Sequence, residues 1–175
     1  MDLRKKLSAV FIGLFLSITV CANGTVFQAK ELYNEMKLNG LIKYDVFVQG
    51  VEGFNKIGKK EKNILTIVDF SLPSTEERMY VLDLEKKEVL FKSYVSHGKN
   101  TGDLYAESFS NVAESNKSSL GFFMTEAPYK GSNGYSLRLA GLEKGINDNA
   151  MKRNIVVHGA DYANPEMIKT SGRLG

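Results

Sequence analysis

Two histidines of this chain stand where their side chains could do chemistry, because each follows a short apolar run and precedes a glycine. The first pair, His97-Gly98, ends the run YVSHG, and the second, His158-Gly159, ends the run IVVHG. An imidazole titrates near neutral pH and can act as a general base. A strand before the histidine fixes its direction, and the glycine lets another backbone come close. The same pattern also fits a partly buried histidine bonded to a backbone carbonyl, so the local sequence leaves both roles open.

Other reactive groups are scarce. The sequence contains two histidines and one cysteine, without the HxxxH or HxxE spacing of a zinc site, so no metal is expected. It has no GxSxG elbow, no GxxxxGK[ST] loop and no GxGxxG turn, and no cofactor is expected. The net charge of +3 comes partly from the extreme N-terminus, which leaves the body of the chain near neutral. A nucleic-acid partner is therefore not expected, because it would need a basic face.

The N-terminus has the composition of an export signal. A basic segment, MDLRKK, precedes the apolar run LSAVFIGLFLSITV, and Val20 and Ala22 occupy the positions that a signal peptidase reads. The sequence predicts a signal peptide over residues 1–22, cleaved after Ala22, and a protein exported to the periplasm or cell envelope. The apolar run is short for a membrane span, so no stable span is expected after cleavage. Lipid attachment at Cys21 is the alternative.

Cleavage after Ala22 would remove Cys21, the only cysteine. The mature chain would then have neither a disulfide nor a thiol nucleophile, and its hydrophobic core alone would hold the fold together.

The pattern of apolar residues predicts a mainly β, α+β chain with a helical N-terminal portion over residues 23–59. Apolar residues recur at intervals of three and four from Leu41 to Ile57, and a shorter helix is predicted before Gly40. Six short strand candidates follow within residues 60–175: NILTIVDFS, ERMYVLDL, EVLFKSYVSHG, GFFMTEAPY, YSLRLAGLE and RNIVVHGA. A polar, turn-rich segment comes after His158-Gly159.

Several unusual clusters occur in one order along the chain: SHGKNTGD, ESFSNVAESNKSSLGFF, YKGSNGYSLRLAGLEKGINDNA and RNIVVHGADYA. This order resembles the murein L,D-transpeptidase catalytic-domain family over roughly residues 60–175, together with the helical lead-in. The resemblance implies a β-rich sandwich with catalytic residues beside a groove. In this chain the domain is expected to be incomplete at its C-terminus.

The family resemblance also implies roles for particular residues. Its nucleophile is a cysteine in a Ser-x-Gly-Cys motif, and a histidine in a strand-end His-Gly pair is the base. His158 matches that base, with Gly159 supporting it, and residues 171–175, SGRLG, resemble the lead-in to the cysteine motif. The motif itself is absent, so the 175-residue chain is expected to be inactive. The implied partners are peptidoglycan stem peptides, which form an acyl-enzyme that an amine resolves.

Five further residues are candidates for the substrate groove, each with a structural alternative. His97 and Gly98 either line the groove or order the loop that follows them. Ser110 and Asn111 either bind substrate or form side-chain turns, as do residues 118–119. Tyr162, just after the second His-Gly pair, could orient the imidazole or shape the groove.

Two non-enzymatic functions also fit the sequence. A peptidoglycan-binding or scaffolding protein would keep the fold without catalysis, as the absence of a mature cysteine suggests. A lipid-anchored structural protein of the envelope would require modification of Cys21.

Overall fold

A computed structural model describes residues 27–58 and 60–174 of the chain. The predicted signal peptide, Cys21 included, lies outside the described residues. Along residues 27–58 and 60–174, no helix is both long enough and apolar enough to cross a membrane.

Two helices open the described chain, α1 (Ala29–Glu35) and α2 (Tyr44–Lys56). The predicted helical N-terminal portion is thereby confirmed. In α2 the apolar residues Phe47, Val51 and Phe54 fall on one face, because they are spaced by four and three positions, and all three are buried.

The strands form two antiparallel, three-stranded sheets. The first contains β1 (Ile64–Val68), β2 (Glu77–Asp83) and β3 (Glu88–Tyr94) in sequence order. The second contains β4 (Phe123–Gly131), β5 (Gly134–Gly141) and β6 (Val156–His158), again in sequence order. The prediction of a mainly β, α+β fold is confirmed.

The hydrophobic core lies between the two helices and the first sheet. Alternate residues of β1 and β2 point into it, as expected for strands with one covered face. The buried cluster comprises Leu32, Tyr33, Met36, Leu38, Ile42, Phe47, Val51, Phe54, Leu65, Ile67, Tyr80, Leu82 and Leu84. None of these residues comes from the second sheet, so that sheet depends on other contacts for its position.

One such contact joins the start of the second sheet to α2. The ring of Phe122, immediately before β4, lies where a side chain at Gly53 would be. A Cβ atom built on Gly53 would lie 2.1 Å from the Phe122 ring. Glycine therefore permits the close packing of this ring on the helix, although it is a weak helix former.

The sequence predicted turns after Gly159. This prediction is wrong over one stretch, because a third helix, α3 (Pro165–Ser171), forms there. Its first turn is capped by Asn164, whose side-chain oxygen accepts a 2.9 Å hydrogen bond from the Met167 backbone N–H. Proline at the first helical position needs no backbone hydrogen bond and has a fixed, helix-compatible φ. The Asn-Pro pair thus starts a helix instead of a turn.

Replacing Gly53 with alanine is expected to destabilise the protein by about 1–3 kcal/mol, since the new methyl group overlaps the Phe122 ring. Gly50→Ala is the matched control, because its nearest neighbours are side-chain atoms of Ile67 and Leu65 at 3.2–3.4 Å. In the control, the gain in helix propensity should offset the small loss of packing, so that its free energy of unfolding stays close to that of the wild-type chain. Chemical denaturation of the two variants measures the difference, and equal free energies of unfolding would contradict the close packing.

Candidate active site

His158 is the last residue of β6, at the edge of the second sheet. β6 pairs antiparallel with β5, and His158 lies opposite Ser136. Along the strand, Val157 points outward and is 41% exposed, whereas His158 is half-buried. The strand pairing therefore fixes the backbone from which the imidazole projects.

A short hydrogen bond determines which nitrogen of His158 carries the proton. Nδ1 lies 2.8 Å from the backbone oxygen of Gly159. A carbonyl oxygen can only accept, so Nδ1 is the donor and Nε2 of the neutral ring keeps its lone pair. No hydrogen bond reaches Nε2 from the part of the chain that the structure describes. His158 is thus in the tautomer that can take up a proton through Nε2.

Among the described residues, the imidazole of His158 has no thiol beside it. Cys21, the only cysteine in the sequence, lies outside them. The hydroxyl of Ser136, opposite His158, donates instead to the backbone oxygen of Gly134 at 3.2 Å. Over residues 27–58 and 60–174, no cluster of three His, Cys, Asp or Glu side chains is placed to hold a metal ion.

His97 has a very different environment, which is organised by the fully buried guanidinium of Arg78. Arg78 donates hydrogen bonds to the backbone oxygens of Leu72, at 2.9 Å, and Val95, at 2.9 and 3.1 Å. It also lies 2.8 Å from Nδ1 of His97. A guanidinium can only donate, so Nδ1 of His97 accepts, and Nε2 donates to the backbone oxygen of Gly102 at 3.0 Å. The His97 ring is neutral and is 5% exposed.

Burial is the main reason why the pKa of His97 lies below its usual value. The hydrogen bond to Gly102 raises that pKa in part, and the positive charges of Arg78 and Arg173 lower it further. Burial also lowers the pKa of Arg78 to about 10, with Asp69 acting in the opposite direction. His97 therefore acts in this structure as a neutral bridge between Arg78 and the 98–102 turn, which is the loop-ordering role that the sequence left open.

Gly98 allows another loop to pack directly on the chain after His97. A Cβ atom at Gly98 would lie 2.7 Å from the backbone oxygen of Asn116 and 2.9 Å from the nitrogen of Ser118. The Gly98 N–H also donates to the Ser118 hydroxyl at 2.9 Å. A side chain at this position would push the two loops apart.

Ser110 and Asn111 belong to the loop that packs against this turn, and the side chains of both form hydrogen bonds with other residues of the protein. The Ser110 hydroxyl accepts from the Val112 N–H at 3.0 Å, which closes a side-chain turn. The Asn111 amide donates to the Asp148 carboxylate at 2.7 Å, and this hydrogen bond is the main cause of a lowered pKa at Asp148. The Ser110 side chain therefore stabilises its own turn, whereas Asn111 connects this loop to the segment that contains Asp148.

Sequence reasoning missed Arg153, which ties this loop to the segment leading into β6. Its guanidinium donates to the Ser110 backbone oxygen, the Ser119 hydroxyl, the Ser115 hydroxyl and the Lys117 backbone oxygen. The last two distances are 3.0 and 2.7 Å. Nothing in the local sequence around Arg153 signals these contacts, because all four acceptors lie far away along the chain.

Tyr162, a groove candidate from the sequence, and Arg138 are both exposed. Tyr162 is 50% exposed, and among the described residues no hydrogen bond joins it to His158. Arg138 has an exposed side chain on β5, and its guanidinium carbon lies 4.1 Å from the centroid of the Tyr129 ring. That distance is typical of a cation–π contact.

After α3, the chain returns to the loop that follows His97. Arg173 forms an ion pair with Asp103, and the buried Leu174 donates its N–H to the Ser74 hydroxyl at 2.9 Å. Residues 99–107 line a cavity of about 410 Å³ beside this contact. The structure thus brings the His97 loop, the loop containing Ser110 and the end of α3 into one connected region, which Arg153 joins to the segment before β6.

Comparison with known proteins gave one match. The sequence model described as the L,D-transpeptidase catalytic domain matches residues 38–175, which include α2, both sheets and both His-Gly pairs. No curated protein and no solved structure matches the chain.

The buried, neutral His97 should make stability depend on pH. Its pKa in the folded protein lies below the unfolded value of about 6.5, so the unfolded chain binds the proton first as pH falls. The free energy of unfolding should therefore decrease below pH 6.5, by at most about 1.4 kcal/mol per pH unit from this group. Arg78, Asp69, Arg173 and Asp103 are the charged groups around it. Urea titrations measure the free energy of unfolding at pH 7 and at pH 5. The difference between these two values should be smaller for His97→Gln than for the wild-type chain, and an equal difference would refute this assignment.

Substituting Arg153 with lysine should destabilise the protein by about 2–4 kcal/mol, because an ammonium group cannot reach all four acceptors. Arg138→Lys is the matched control and should change stability by less than about 0.5 kcal/mol, since Arg138 is exposed. Thermal and chemical unfolding measure both effects. A similar loss in the two variants would mean that Arg153 does not hold the loop.

Proposed function

The chain belongs to the L,D-transpeptidase catalytic domain family, and we propose that it is an exported, peptidoglycan-directed cysteine acyltransferase in which His158 is the general base. The observation that carries this proposal is the hydrogen bond at Nδ1 of His158. Its Nδ1 is held by the Gly159 backbone oxygen at 2.8 Å, which leaves Nε2 as the proton acceptor at a strand end. The predicted export signal supports it independently, because peptidoglycan lies outside the cytoplasmic membrane.

In this proposal a cysteine thiol gives its proton to Nε2 of His158, and the thiolate attacks an amide carbonyl of a stem peptide. The C–N bond of that amide then breaks. The leaving amine takes the proton from His158, and the acyl group stays on sulfur as a thioester. An amine of a second stem attacks the thioester and gives a proton to His158. The C–S bond then breaks, and His158 returns the proton to the sulfur, which regenerates the thiol. Backbone N–H groups near the cysteine stabilise the oxyanion in both steps.

Cys21 does not serve as this nucleophile in the proposal, since cleavage after Ala22 removes it. The proposal assigns the thiol instead to the Ser-x-Gly-Cys motif that the family resemblance implies. The fixed position of Leu174 supports this, because its buried side chain and its hydrogen bond to Ser74 hold the chain beside the 99–107 cavity. A nucleophile carried on from this point would have a rigid support.

The stem-peptide groove in this proposal includes the 99–107 cavity, whose lining residue Gly102 is hydrogen-bonded to His97. His97 and Gly98 then act by positioning the loop, and Ser110 and Asn111 by fixing the neighbouring loop. Tyr162 is an exposed aromatic residue four positions after His158, and the proposal keeps it as a substrate contact.

A non-catalytic peptidoglycan-binding protein is the second candidate. The observation that favours it is the cysteine content, since the sequence has no cysteine other than Cys21. In that case the His158 ring would have no proton-transfer role.

The two candidates are separated by acylation with a carbapenem-type probe, followed by intact-mass spectrometry. The signal-cleaved 175-residue chain should show no adduct, because it has no thiol. The full-length protein with a Ser-x-Gly-Cys motif should be acylated, and His158→Gln should slow that step by about 10²–10⁴-fold. Replacing the motif cysteine with serine is the control for thiol dependence. An adduct on the signal-cleaved 175-residue chain, or an undiminished rate in His158→Gln, would exclude the proposed mechanism.

A further inference from the structure

A second cavity, of about 680 Å³, lies where the connection between α1 and α2 meets β2 and β3. Neither His158 nor the 99–107 loop lines it. Its volume is in the range of pockets that hold small organic ligands, about 300–1,000 Å³. We call it the tyrosine cleft, because four tyrosines line it: Tyr33, Tyr44, Tyr80 and Tyr94.

Two of these tyrosines form a rigid wall. Tyr33 is 8% exposed, and its hydroxyl donates to the Ile42 backbone oxygen at 2.6 Å. Tyr80 is 2% exposed, and its hydroxyl donates to the Glu77 backbone oxygen at 3.1 Å. Their phenol groups are thus satisfied within the protein, and their rings are held before any ligand arrives.

Tyr44 offers an aromatic surface at the rim of the cleft. It is 46% exposed, yet its ring packs against Tyr33 with centroids 5.1 Å apart and planes at 83°. This edge-to-face geometry is a favourable arrangement of two aromatic rings. An exposed ring with a fixed orientation loses little entropy when a ligand stacks on it.

The charged groups of the cleft are mixed and largely paired. Lys43 lies 3.9 Å from Asp69, and Lys92 lies 3.1 Å from Glu77. Glu76 is exposed and forms no ion pair with any of the residues that the structure describes. The three carboxylates outnumber the two lysines, so the cleft does not favour an anionic ligand. The charges also make it a poor site for a hydrocarbon.

We propose that the tyrosine cleft binds a saccharide, and that this saccharide is the glycan strand of peptidoglycan. A pyranose ring has an apolar face of C–H groups, which fits an aromatic ring, and a rim of hydroxyls, which donate to carboxylates and accept from ammonium groups. A stem peptide is disfavoured here because its own carboxylates would face those of the cleft. The choice of glycan rests on the proposed function, whereas the saccharide chemistry rests on the cleft alone.

In the experiment, the purified chain is titrated with N-acetylglucosamine tetramer. Binding is monitored through the amide chemical shifts in two-dimensional NMR spectra. Shift changes are expected at the cleft residues. Tyr44→Ala should weaken binding by roughly tenfold, because it removes the rim ring. Glu76→Gln should weaken it by about threefold, through loss of a charged acceptor. Both residues are exposed, and unchanged melting curves would verify that the variants fold.

Tyr135→Ala is the matched control, since Tyr135 is a 76% exposed tyrosine on β5, in the other sheet. It should leave the affinity unchanged. Absence of binding, or an equal loss in Tyr135→Ala, would overturn the proposal. Equal binding of a glucose tetramer would overturn the assignment to peptidoglycan glycan. Because this titration uses no thiol, its failure would be distinct from a failure of the carbapenem-type probe to acylate the full-length protein.

Discussion

The buried guanidinium of Arg78 is the interaction on which the central loops depend. A charge removed from water is costly unless its hydrogen bonds are satisfied. Arg78 meets this requirement with two backbone carbonyls and one imidazole nitrogen, and its guanidinium also lies 5.0 Å from the centroid of the Phe70 ring. These partners belong to the chain on either side of the β2–β3 hairpin. One side chain thereby fixes the relative positions of the 69–74 turn and the turn that follows His97.

The two histidines illustrate how tertiary contacts separate residues with the same local pattern. Both follow a strand and precede a glycine, and from those features alone their roles were equivalent. His97 accepts at Nδ1 from a guanidinium, whereas His158 donates from Nδ1 to a carbonyl. The two rings are therefore opposite tautomers. Of the two, only His158 has an Nε2 that no described residue contacts by a hydrogen bond.

The sequence predicted those parts of the fold whose signals are local. Periodic apolar residues predicted α2, which has one covered face, and short runs of strand-forming residues predicted β1 and β2. The helix α3 was missed because its signal is a cap, Asn164-Pro165, and not a periodic apolar face; none of its residues is buried. The contacts of Arg153 could not be predicted either, since its acceptors lie 34 to 43 positions away. Contacts of this range depend on the whole fold.

The hydrogen bond between Leu174 and Ser74 also bears on how the chain folds. It joins residues 100 positions apart, so its formation closes a loop that spans both sheets. Closing a flexible loop of that length costs on the order of 4 kcal/mol of chain entropy, whereas hairpins such as β2–β3 close over a few residues. The hairpins are therefore expected to form early, and the C-terminal docking late. The region around the candidate nucleophile position would then be assembled only after the rest of the chain has reached its native topology.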